Sequence, residues 1–537
     1  TPPEVAARPS SRRAWWRLVA LAAVPASMML GVTTHLTTDV GSFPLLWAVP
    51  LTLYLGSFVV VFTRTPAAPT PRVVAPYLGL LLLMFLFAAP QVPTRLPLVA
   101  GHLGLFTFTA WLFHGTLARE RERVGSITAF QLALAVGGAL GGIFNALVAP
   151  RLFVRATEYP LVMALAVLLL PPPPAPPDPR ARQERFVREM GLDPAAVLGP
   201  PPPPVATRPP TVFDGLVPLL VGLFAALLFV TPNRSSAPSL VRFGAPLLVL
   251  VLTSVGRRAR LALGLVAILA ASSLDRSVRY ATRTFYGTLR VEEHRGVRRF
   301  VHGTTLHGLQ YRSDKMRREP VAYYHRLGPL GEAMQSLGAS LDGARVGVVG
   351  LGVGMLLAHA RPGQSWTFYE LDPAVEHVAR TYFTWIREAP VATRVVLGDA
   401  RRSLAREAGA RYRLLVLDAF SSDAIPMHLL TREAMALYLA HLDDDGVLAF
   451  HITNRHVRLE APLAALARDA SLVALRSRGY GYGPDGPVST TWVFMARRAT
   501  SLGPIADSPR WTRLDAHGTR AWRDAFSDLM SVLRLGD

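Results

Sequence analysis

A glycine-rich turn that follows an apolar run constrains the fold of this chain more than any other feature. Val346–Val349 has the composition of a buried strand, and Gly350, Gly352 and Gly354 come directly after it. A second apolar run ends in Glu370, about 20 residues further on, which is the spacing of a nucleoside-binding βαβ unit. Glycines let the backbone approach a ligand closely, and the acid can bind ribose hydroxyls. The motif therefore predicts a nucleoside site, but it fits NAD as well as S-adenosylmethionine.

Further apolar runs continue this pattern toward the carboxyl terminus. Helical segments separate them, which predicts a doubly wound, seven-stranded α/β sheet of the Rossmann-like type. Asp399 with Ala400 closes the third strand and Asp418 closes the fourth, at the edge where an open α/β sheet binds its ligands. Acids at successive strand ends indicate a nucleoside site more strongly than the glycine turn alone. The strands are predicted near residues 345–349, 366–370, 393–397, 413–418, 446–453, 472–476 and 491–497.

Two shorter patterns precede the sheet. Residues 285–291 and 299–303 alternate in polarity around a Glu-His-Arg-Gly turn, which predicts a β-hairpin. Residues 320–338 have the pattern of a helix. We expect both to form the entry to the nucleoside-binding domain.

The amino-terminal half consists largely of long apolar runs, which raise the mean hydropathy of the chain to +0.29. Several of them reach the roughly 20 residues that a bilayer-spanning helix needs. A multi-span helical membrane domain is therefore expected, with the lipid bilayer as its partner. The predicted helices lie near residues 15–35, 43–63, 73–90, 96–118, 127–149, 156–170, 213–231, 238–255 and 259–274.

Loop charges predict an orientation for this membrane domain. Arginines precede the first helix and follow the second and the fourth, which places the amino terminus in the cytoplasm. A linker rich in proline and arginine would lie on the same side after six crossings. Because a cytosolic cofactor is reachable only there, we expect eight true crossings rather than nine. The catalytic domain would then be cytoplasmic, at the inner membrane of a bacterium.

These patterns divide the chain into five parts. They are membrane helices at 1–170, the linker at 171–212, further membrane helices at 213–275, the hairpin and entry helix at 276–340, and the nucleoside-binding α/β domain at 341–537.

The composition excludes several kinds of site. Cysteine is absent, so the sequence given has no disulfide, thiol nucleophile or cysteine-ligated zinc. The spacing of the histidines fits no metal motif, and no metal is expected. The net charge of +20 comes mostly from arginine, but no basic patch is interleaved with aromatic residues, so we expect no nucleic-acid partner.

Motifs on both sides of the glycine turn resemble the spermidine synthase (polyamine aminopropyltransferase) family, in particular its bacterial membrane-fused subgroup. The resemblance covers residues 276–537. It implies a membrane-anchored enzyme in which an amine attacks the methylene beside the sulfur of decarboxylated S-adenosylmethionine. The acceptor would be a small amine, and a homodimer is compatible with the resemblance. The motifs are His302 to Gln310, Pro320 to His325, Asp418 to Pro426 and Leu448 to His456.

The resemblance also implies roles for individual residues. Asp418 would act as the base, Asp423 would bind the remote charge of the amine, and Tyr324 would line the catalytic site. His325 and Arg326 would contact the substrate. Nucleoside binding would fall to residues spread over several strand ends, with Glu370 on the ribose and Asp399 on the adenine. The nucleoside-binding set is Gln310, Gly350, Gly352, Gly354, Glu370, Asp399 and Ala400.

Three positions depart from the family pattern. Val353 stands where an acid usually precedes the last glycine of the turn, and Arg326 stands where a glutamate usually follows the Tyr-His pair. Asp418 and Asp423 are five residues apart, where three is common in the family. These departures favour a second reading, a reaction on intact S-adenosylmethionine by methyl transfer or by cleavage of the sulfonium. A transporter or sensor that binds a nucleoside without turnover is a third reading, and an NAD oxidoreductase is the most distant.

Overall fold

The computed structural model describes most of the chain. The described residues are 12–40, 47–64, 66–89, 96–121, 126–170, 179–193, 197–198, 209–231, 239–407, 409–420, 426–454, 457–528 and 530–532. They form an amino-terminal helical bundle and a carboxyl-terminal α/β domain.

Helices form at every position where the apolar runs predict them. Helix α5 continues through a π-helical turn at Phe144–Val148 into α6. Four stretches are long and apolar enough to cross a membrane, namely Arg12–Thr37, Pro71–Ala88, Ile127–Leu152 and Phe213–Val230, among the residues that the structure describes. The bundle comprises α1 (Arg12–Val40), α2 (Ala48–Thr63), α3 (Pro71–Ala88), α4 (Leu96–Glu120), α5 (Ile127–Ile143), α6 (Ala149–Leu152), α7 (Glu158–Leu169), α8 (Pro179–Glu189), α9 (Phe213–Val230), α10 (Ser239–Thr253) and α11 (Arg258–Ser272).

Contacts between helix ends define two faces of the bundle. At the face where α1 begins, which we call the amino-terminal face, Arg17 pairs with Glu120 at the end of α4 at 2.8 Å. Arg119 donates there to the carbonyl of Pro66, between α2 and α3. At the opposite face, which we call the α/β face, Tyr159 at the start of α7 packs against Gly31 in the second half of α1.

The last three helices of the bundle each run from one face to the other. At the amino-terminal face, Arg258 at the start of α11 donates to the carbonyl of Leu170, and Asp214 at the start of α9 pairs with Arg260. At the α/β face, Arg242 near the start of α10 pairs with Asp275, just after α11. The two ends of the linker and the α/β domain therefore lie on opposite faces. The expectation of eight crossings differs from this arrangement, because it places the linker and the catalytic domain on one side of a membrane, whereas three helices separate them here.

The α/β domain begins with an antiparallel sheet instead of the single hairpin that the sequence predicts. Its strands β1 (Val278–Thr284), β2 (Gly287–His294), β3 (Val297–His302) and β4 (Thr305–Tyr311) pair in sequence order. The predicted helix at 320–338 is interrupted. A 3₁₀ turn forms at Ala322–Tyr324 and α12 at Pro329–Leu337, because Pro329 is tolerated only in the first turn of a helix.

The main sheet contains the seven predicted strands and one more short strand, β12 (Thr512–Arg513), within the described residues. The order β12-β10-β11-β9-β8-β5-β6-β7 has a parallel centre and antiparallel β10 and β11. The carboxyl ends of β5, β6, β7, β8 and β9 thus meet at one edge. The strands are β5 (Arg345–Val349), β6 (Ser365–Glu370), β7 (Ala392–Leu397), β8 (Tyr412–Leu417), β9 (Leu442–His451), β10 (Val473–Gly483) and β11 (Gly486–Ala496), and the helices between and after them are α13 (Pro373–Tyr382), α14 (Ala400–Arg406), α15 (Arg432–Ala440) and α16 (Glu460–Asp469).

The central strands are apolar because both faces of the sheet are covered. Alternate residues of β5 point to opposite layers. Val346 and Val348 pack with the β1–β4 side, whereas Val349 packs with the α14–α16 side. This two-layer burial fixes the strand register, and with it the positions of the polar residues that follow each strand.

Candidate active site

A cavity of about 590 Å³ lies at the carboxyl edge of the main sheet, under β2 to β4. Its floor is formed by the turns after β5, β6, β7 and β8 and by the end of β9. Acids and aromatic rings make up much of the wall. The lining residues that bear on its chemistry are His302, His307, Tyr323, Tyr324, Gly350, Gly352, Glu370, Asp372, Asp399, Ala400, Asp418, Phe420, His428, His451, Thr453 and Asn454.

The turn after β5 needs glycine for two reasons. Gly350 has a φ of 97°, which side chains rarely adopt, and its amide donates to the carbonyl of Tyr369 at 2.9 Å. A β-carbon at Gly350 would also lie 2.3 Å from the carbonyl oxygen of Asp418. Gly352 has a φ of 53° and also lines the cavity. Gly354, predicted to contact the nucleoside, precedes the 3₁₀ turn Met355–His359, faces Ile386 and is not among the residues that line the cavity.

Gly350→Ala is expected to lower the free energy of unfolding by about 2–5 kcal/mol, which combines the cost of positive φ with that of overpacking. Gly343→Ala is the matched control, because Gly343 has a φ of 67° and open space around its Cα. The control should lose only about 1–2 kcal/mol. Denaturant unfolding of both variants measures the difference, and equal losses would mean that the approach of Gly350 to Asp418 is unimportant.

Glu370 lies at the end of β6 and is largely buried. Its two carboxylate oxygens accept from the amides of Leu351 (3.0 Å) and Asp372 (2.9 Å). Burial raises the pKa of Glu370 despite these backbone bonds, and the neighbouring charge of Asp372 adds to the rise. A carboxylate keeps further lone pairs after accepting two bonds. Glu370 can therefore still accept hydroxyl groups from a ligand in the cavity.

Glu370→Gln is expected to weaken nucleoside binding about 10- to 100-fold, since a hydrogen bond to a charged group contributes about 1.5–3 kcal/mol. Glu376→Gln is the control, since Glu376 pairs with Arg380 on the surface of α13. Because the pKa of Glu370 is raised, binding should also weaken on acidification at a higher pH than an ordinary glutamate would cause. Calorimetric titration across pH measures both effects, and an unchanged Kd would remove Glu370 from the ligand site.

Two further acids reach the cavity as helix caps. Asp372 caps α13 by accepting from the amide of Ala374, and its other oxygen accepts from the hydroxyl of Thr284 at 2.6 Å. Asp399 caps α14 by accepting from the amide of Arg402, and its other oxygen lies 3.3 Å from Nε2 of His428. Ala400 follows Asp399 at the cavity wall. Asp372 and His428 were not predicted, although Asp372 follows Glu370 closely in the sequence.

Asp418 is held on both sides at the end of β8. Its Oδ2 accepts from the hydroxyl of Tyr324 at 2.6 Å, and its Oδ1 lies 2.7 Å from Nδ1 of His451. Burial, followed by the charge of Asp418, raises the pKa of Tyr324 well above its ordinary value. Tyr324 therefore stays protonated and donates. The structure thus brings together two predicted residues, Asp418 and Tyr324, with a third that the sequence left undecided, His451.

Aromatic packing fixes the ring of His451. The ring stacks on Trp492 with centroids 4.5 Å apart and planes 11° from parallel. Its Nε2 lies 2.8 Å from the hydroxyl of Thr453. Tyr323 and Phe420 flank it with centroids 5.1 Å away. Since an ionised Asp418 can only accept, Nδ1 of His451 carries the proton in their hydrogen bond.

Three residues predicted to contact ligands have side chains with other partners in this structure. The amide of Gln310 is bonded to Thr384 and to the carbonyl of Arg317. His325 accepts from the amide of Leu327 and packs against Tyr482. Arg326 pairs with Glu319 at 3.1 Å on the surface. None of the three lines the cavity. Asp423 lies outside the described residues.

The charge of the lining is uneven. Four carboxylates line the cavity, those of Glu370, Asp372, Asp399 and Asp418, whereas none of the described lining residues is arginine or lysine. Burial lowers the pKa of His302, which keeps this lining histidine neutral near pH 7. In a chain with a net charge of +20, such a lining favours a cationic ligand.

Comparisons with known proteins find similarity over part of the chain. No protein-family model matches. A stretch of 109 residues, 19% of this chain, is 37% identical to a polyamine aminopropyltransferase from Vibrio vulnificus. Another match, over 117 residues and 20% of this chain, is 33% identical to an N-terminal histidine N-methyltransferase from Emericella nidulans. The chain spans only 36% of the length of the first relative and 20% of the second.

Solved structures of similar fold include two spermidine synthases. The probable spermidine synthase from Corynebacterium glutamicum is 16% identical, with a TM-score of 0.34, over 47% of this chain and 97% of that one. The spermidine synthase from Thermotoga maritima is 14% identical, with a TM-score of 0.31, over 48% of this chain and 85% of that one. The sequence match to an aminopropyltransferase, together with the motifs around the glycine turn, makes the α/β half of this chain similar to the spermidine synthase family.

Proposed function

We propose that this chain is a membrane-anchored transferase that moves an aminopropyl group from decarboxylated S-adenosylmethionine to a small-molecule amine. The observation that carries the proposal is Asp418, buried between Tyr324 and His451 in a cavity lined by acids. Both reactants are cations in water, and a cluster of carboxylates favours their joint binding.

The reaction requires that the amine lose a proton before it attacks. Asp418 takes that proton, the nitrogen forms a bond to the methylene beside sulfur, and the carbon–sulfur bond breaks. The sulfonium takes the electron pair and leaves as neutral methylthioadenosine. Glu370 binds the ribose and Asp399 the adenine, so that donor and acceptor meet in one orientation, which supplies much of the rate.

The described lining favours the decarboxylated donor over the intact one. Intact S-adenosylmethionine carries an additional carboxylate, which the carboxylates of the lining would repel. Arg326, the cation that departs from the family pattern, pairs with Glu319 outside the cavity. Val353 is buried against Gly308 and is likewise absent from the lining, so it neither attracts nor repels the aminopropyl end directly.

Membrane anchoring is supported by the outer surface of the bundle. Helix α9 is strongly apolar, yet Leu219, Leu220, Leu223 and Leu227 are each more than half exposed. An exposed apolar surface of this kind is unfavourable in water and marks a site of contact with lipid or protein. A bilayer around the bundle covers this surface.

Turnover tests the proposed reaction. Purified protein in detergent is supplied with decarboxylated S-adenosylmethionine and a panel of mono-, di- and triamines, and release of methylthioadenosine is measured. The proposal expects release that depends on the amine. Release of S-adenosylhomocysteine from intact S-adenosylmethionine would instead support methyl transfer.

One observation favours a second candidate, a nucleoside sensor that acts on the bundle. Glu158, at the start of α7, makes a bidentate ion pair with Arg283 of β1 at 2.8 and 3.0 Å. The adjacent Thr284 bonds to Asp372 in the cavity wall. A ligand that displaces Asp372 would therefore act on helix α7 through Thr284 and the ion pair of Arg283 with Glu158. Tight nucleoside binding without turnover in the same assay would favour this role.

A further inference from the structure

The two faces of the helical bundle differ strongly in arginine. At the amino-terminal face, arginines flank the ends of α1, α2, α3, α4 and α11. Fewer flank the helices at the α/β face, where one of them, Arg242, is paired with Asp275. The described arginines at the amino-terminal face are Arg12, Arg13, Arg17, Arg64, Arg72, Arg119, Arg121, Arg257, Arg258 and Arg260, and those at the α/β face are Arg151, Arg155, Arg242 and Arg276.

The direction in which each helix crosses the bundle shows which parts of the chain lie at the arginine-rich face. Both ends of the linker are at the amino-terminal face, since Leu170 and Pro209 accept from Arg258 and Arg257. The α/β domain is at the other face, joined to it by the ion pair of Glu158 with Arg283. The arginine-rich loops and the catalytic cavity therefore lie on opposite sides of any membrane that surrounds the bundle.

We infer that the α/β domain lies on the extracytoplasmic side of the membrane. Arginine-rich short loops stay in the cytoplasm, whereas long domains are translocated largely regardless of their charge. The amino-terminal face is then cytoplasmic, and the α/β domain, which follows α11, is outside. The cytoplasmic location expected from the sequence depended on eight crossings, whereas the contacts at the helix ends place the linker and the α/β domain at opposite faces of the bundle.

This placement has a consequence for the supply of ligands. Ligands that diffuse into the cavity come from the extracytoplasmic compartment. A nucleoside made in the cytoplasm has to be exported before it reaches Glu370 and Asp418. The inference rests on the proposed membrane insertion, and it does not depend on which reaction the cavity performs.

The cysteine-free sequence makes a direct test simple. Asp444→Cys places one thiol at an exposed position of β9, remote from the cavity end of that strand. Gln183→Cys places one on the exposed surface of α8 in the linker. The full chain with either change is treated with a membrane-impermeant maleimide in right-side-out vesicles, and then again after addition of detergent.

The inference expects at least tenfold more labelling of Asp444→Cys than of Gln183→Cys in intact vesicles, and equal labelling after detergent. Stronger labelling of Gln183→Cys, or equal labelling of both in intact vesicles, would overturn it. Because labelling needs no turnover, these outcomes are separate from the turnover assay, which uses detergent-solubilised protein. A negative result in the labelling assay does not affect the conclusion from the turnover assay, and the reverse also holds.

Discussion

Asp418→Asn should lower kcat by about 10²- to 10⁴-fold, the range that a positioned general base contributes. The amide keeps the size of the carboxylate and can still accept from Tyr324. It cannot take a proton from the attacking amine. Nucleoside binding should stay within a few-fold, because Glu370 and Asp399 are unchanged.

Steady-state turnover and calorimetric binding of methylthioadenosine separate these effects. Asp443→Asn is the matched control, since Asp443 is in the same domain but at the far end of β9 and outside the cavity. It should keep its full kcat. Asp418→Asn with unchanged turnover would remove Asp418 from the chemistry and would leave the cavity as a binding site.

His451→Phe should lower kcat by about 10- to 100-fold while the Kd for the nucleoside changes little. Phenylalanine can retain the stack on Trp492, but it removes the donor to Asp418, whose buried oxygen then loses a charge-assisted hydrogen bond that contributes about 1.5–3 kcal/mol. His451→Asn should recover part of the rate, since its amide can donate to Asp418. We assign His451 as a positioning residue on these grounds.

A histidine with a different role provides the control for this series. His441 is buried at the start of β9, and its ring nitrogens lie near the carbonyls of Leu437 and Glu407. His441→Phe should lower the midpoint of thermal unfolding without a specific loss of kcat in the folded protein. If His451→Asn is as inactive as His451→Phe, and both lose as much stability as His441→Phe, the role of His451 is structural.

The strands of the main sheet and the acids at their ends were predictable because each strand and its acid lie in one short, continuous stretch of sequence. The strands are short runs rich in apolar residues, and Glu370, Asp399 and Asp418 lie at or within two residues of the ends of β6, β7 and β8, so strand ends and site residues coincide. The pairing of Asp418 with Tyr324 was suggested by family resemblance rather than by spacing. The short β12 carries no comparable signal, since two exposed residues make up the strand.

The features that the sequence does not show involve contacts between distant segments. Gln310 belongs to a motif of the family, yet Thr384, far along the chain, binds its amide. His451 could have been noted because it ends the fifth strand of the sheet, but its partner was not visible in the sequence. The expectation of eight crossings came from the assumed supply of a cytosolic cofactor, whereas the contacts of Asp214, Leu170 and Asp275 show at which face the last helices begin and end.

The central claim is that the cavity binds an aminopropyl donor, and calorimetry on purified protein in detergent tests it most directly. Decarboxylated S-adenosylmethionine, intact S-adenosylmethionine and methylthioadenosine are compared, with NAD as the control. We predict the tightest binding for the decarboxylated donor, because four carboxylates and no described arginine or lysine line the cavity. Tighter binding of intact S-adenosylmethionine, or binding of none of the three, would contradict an aminopropyl transferase.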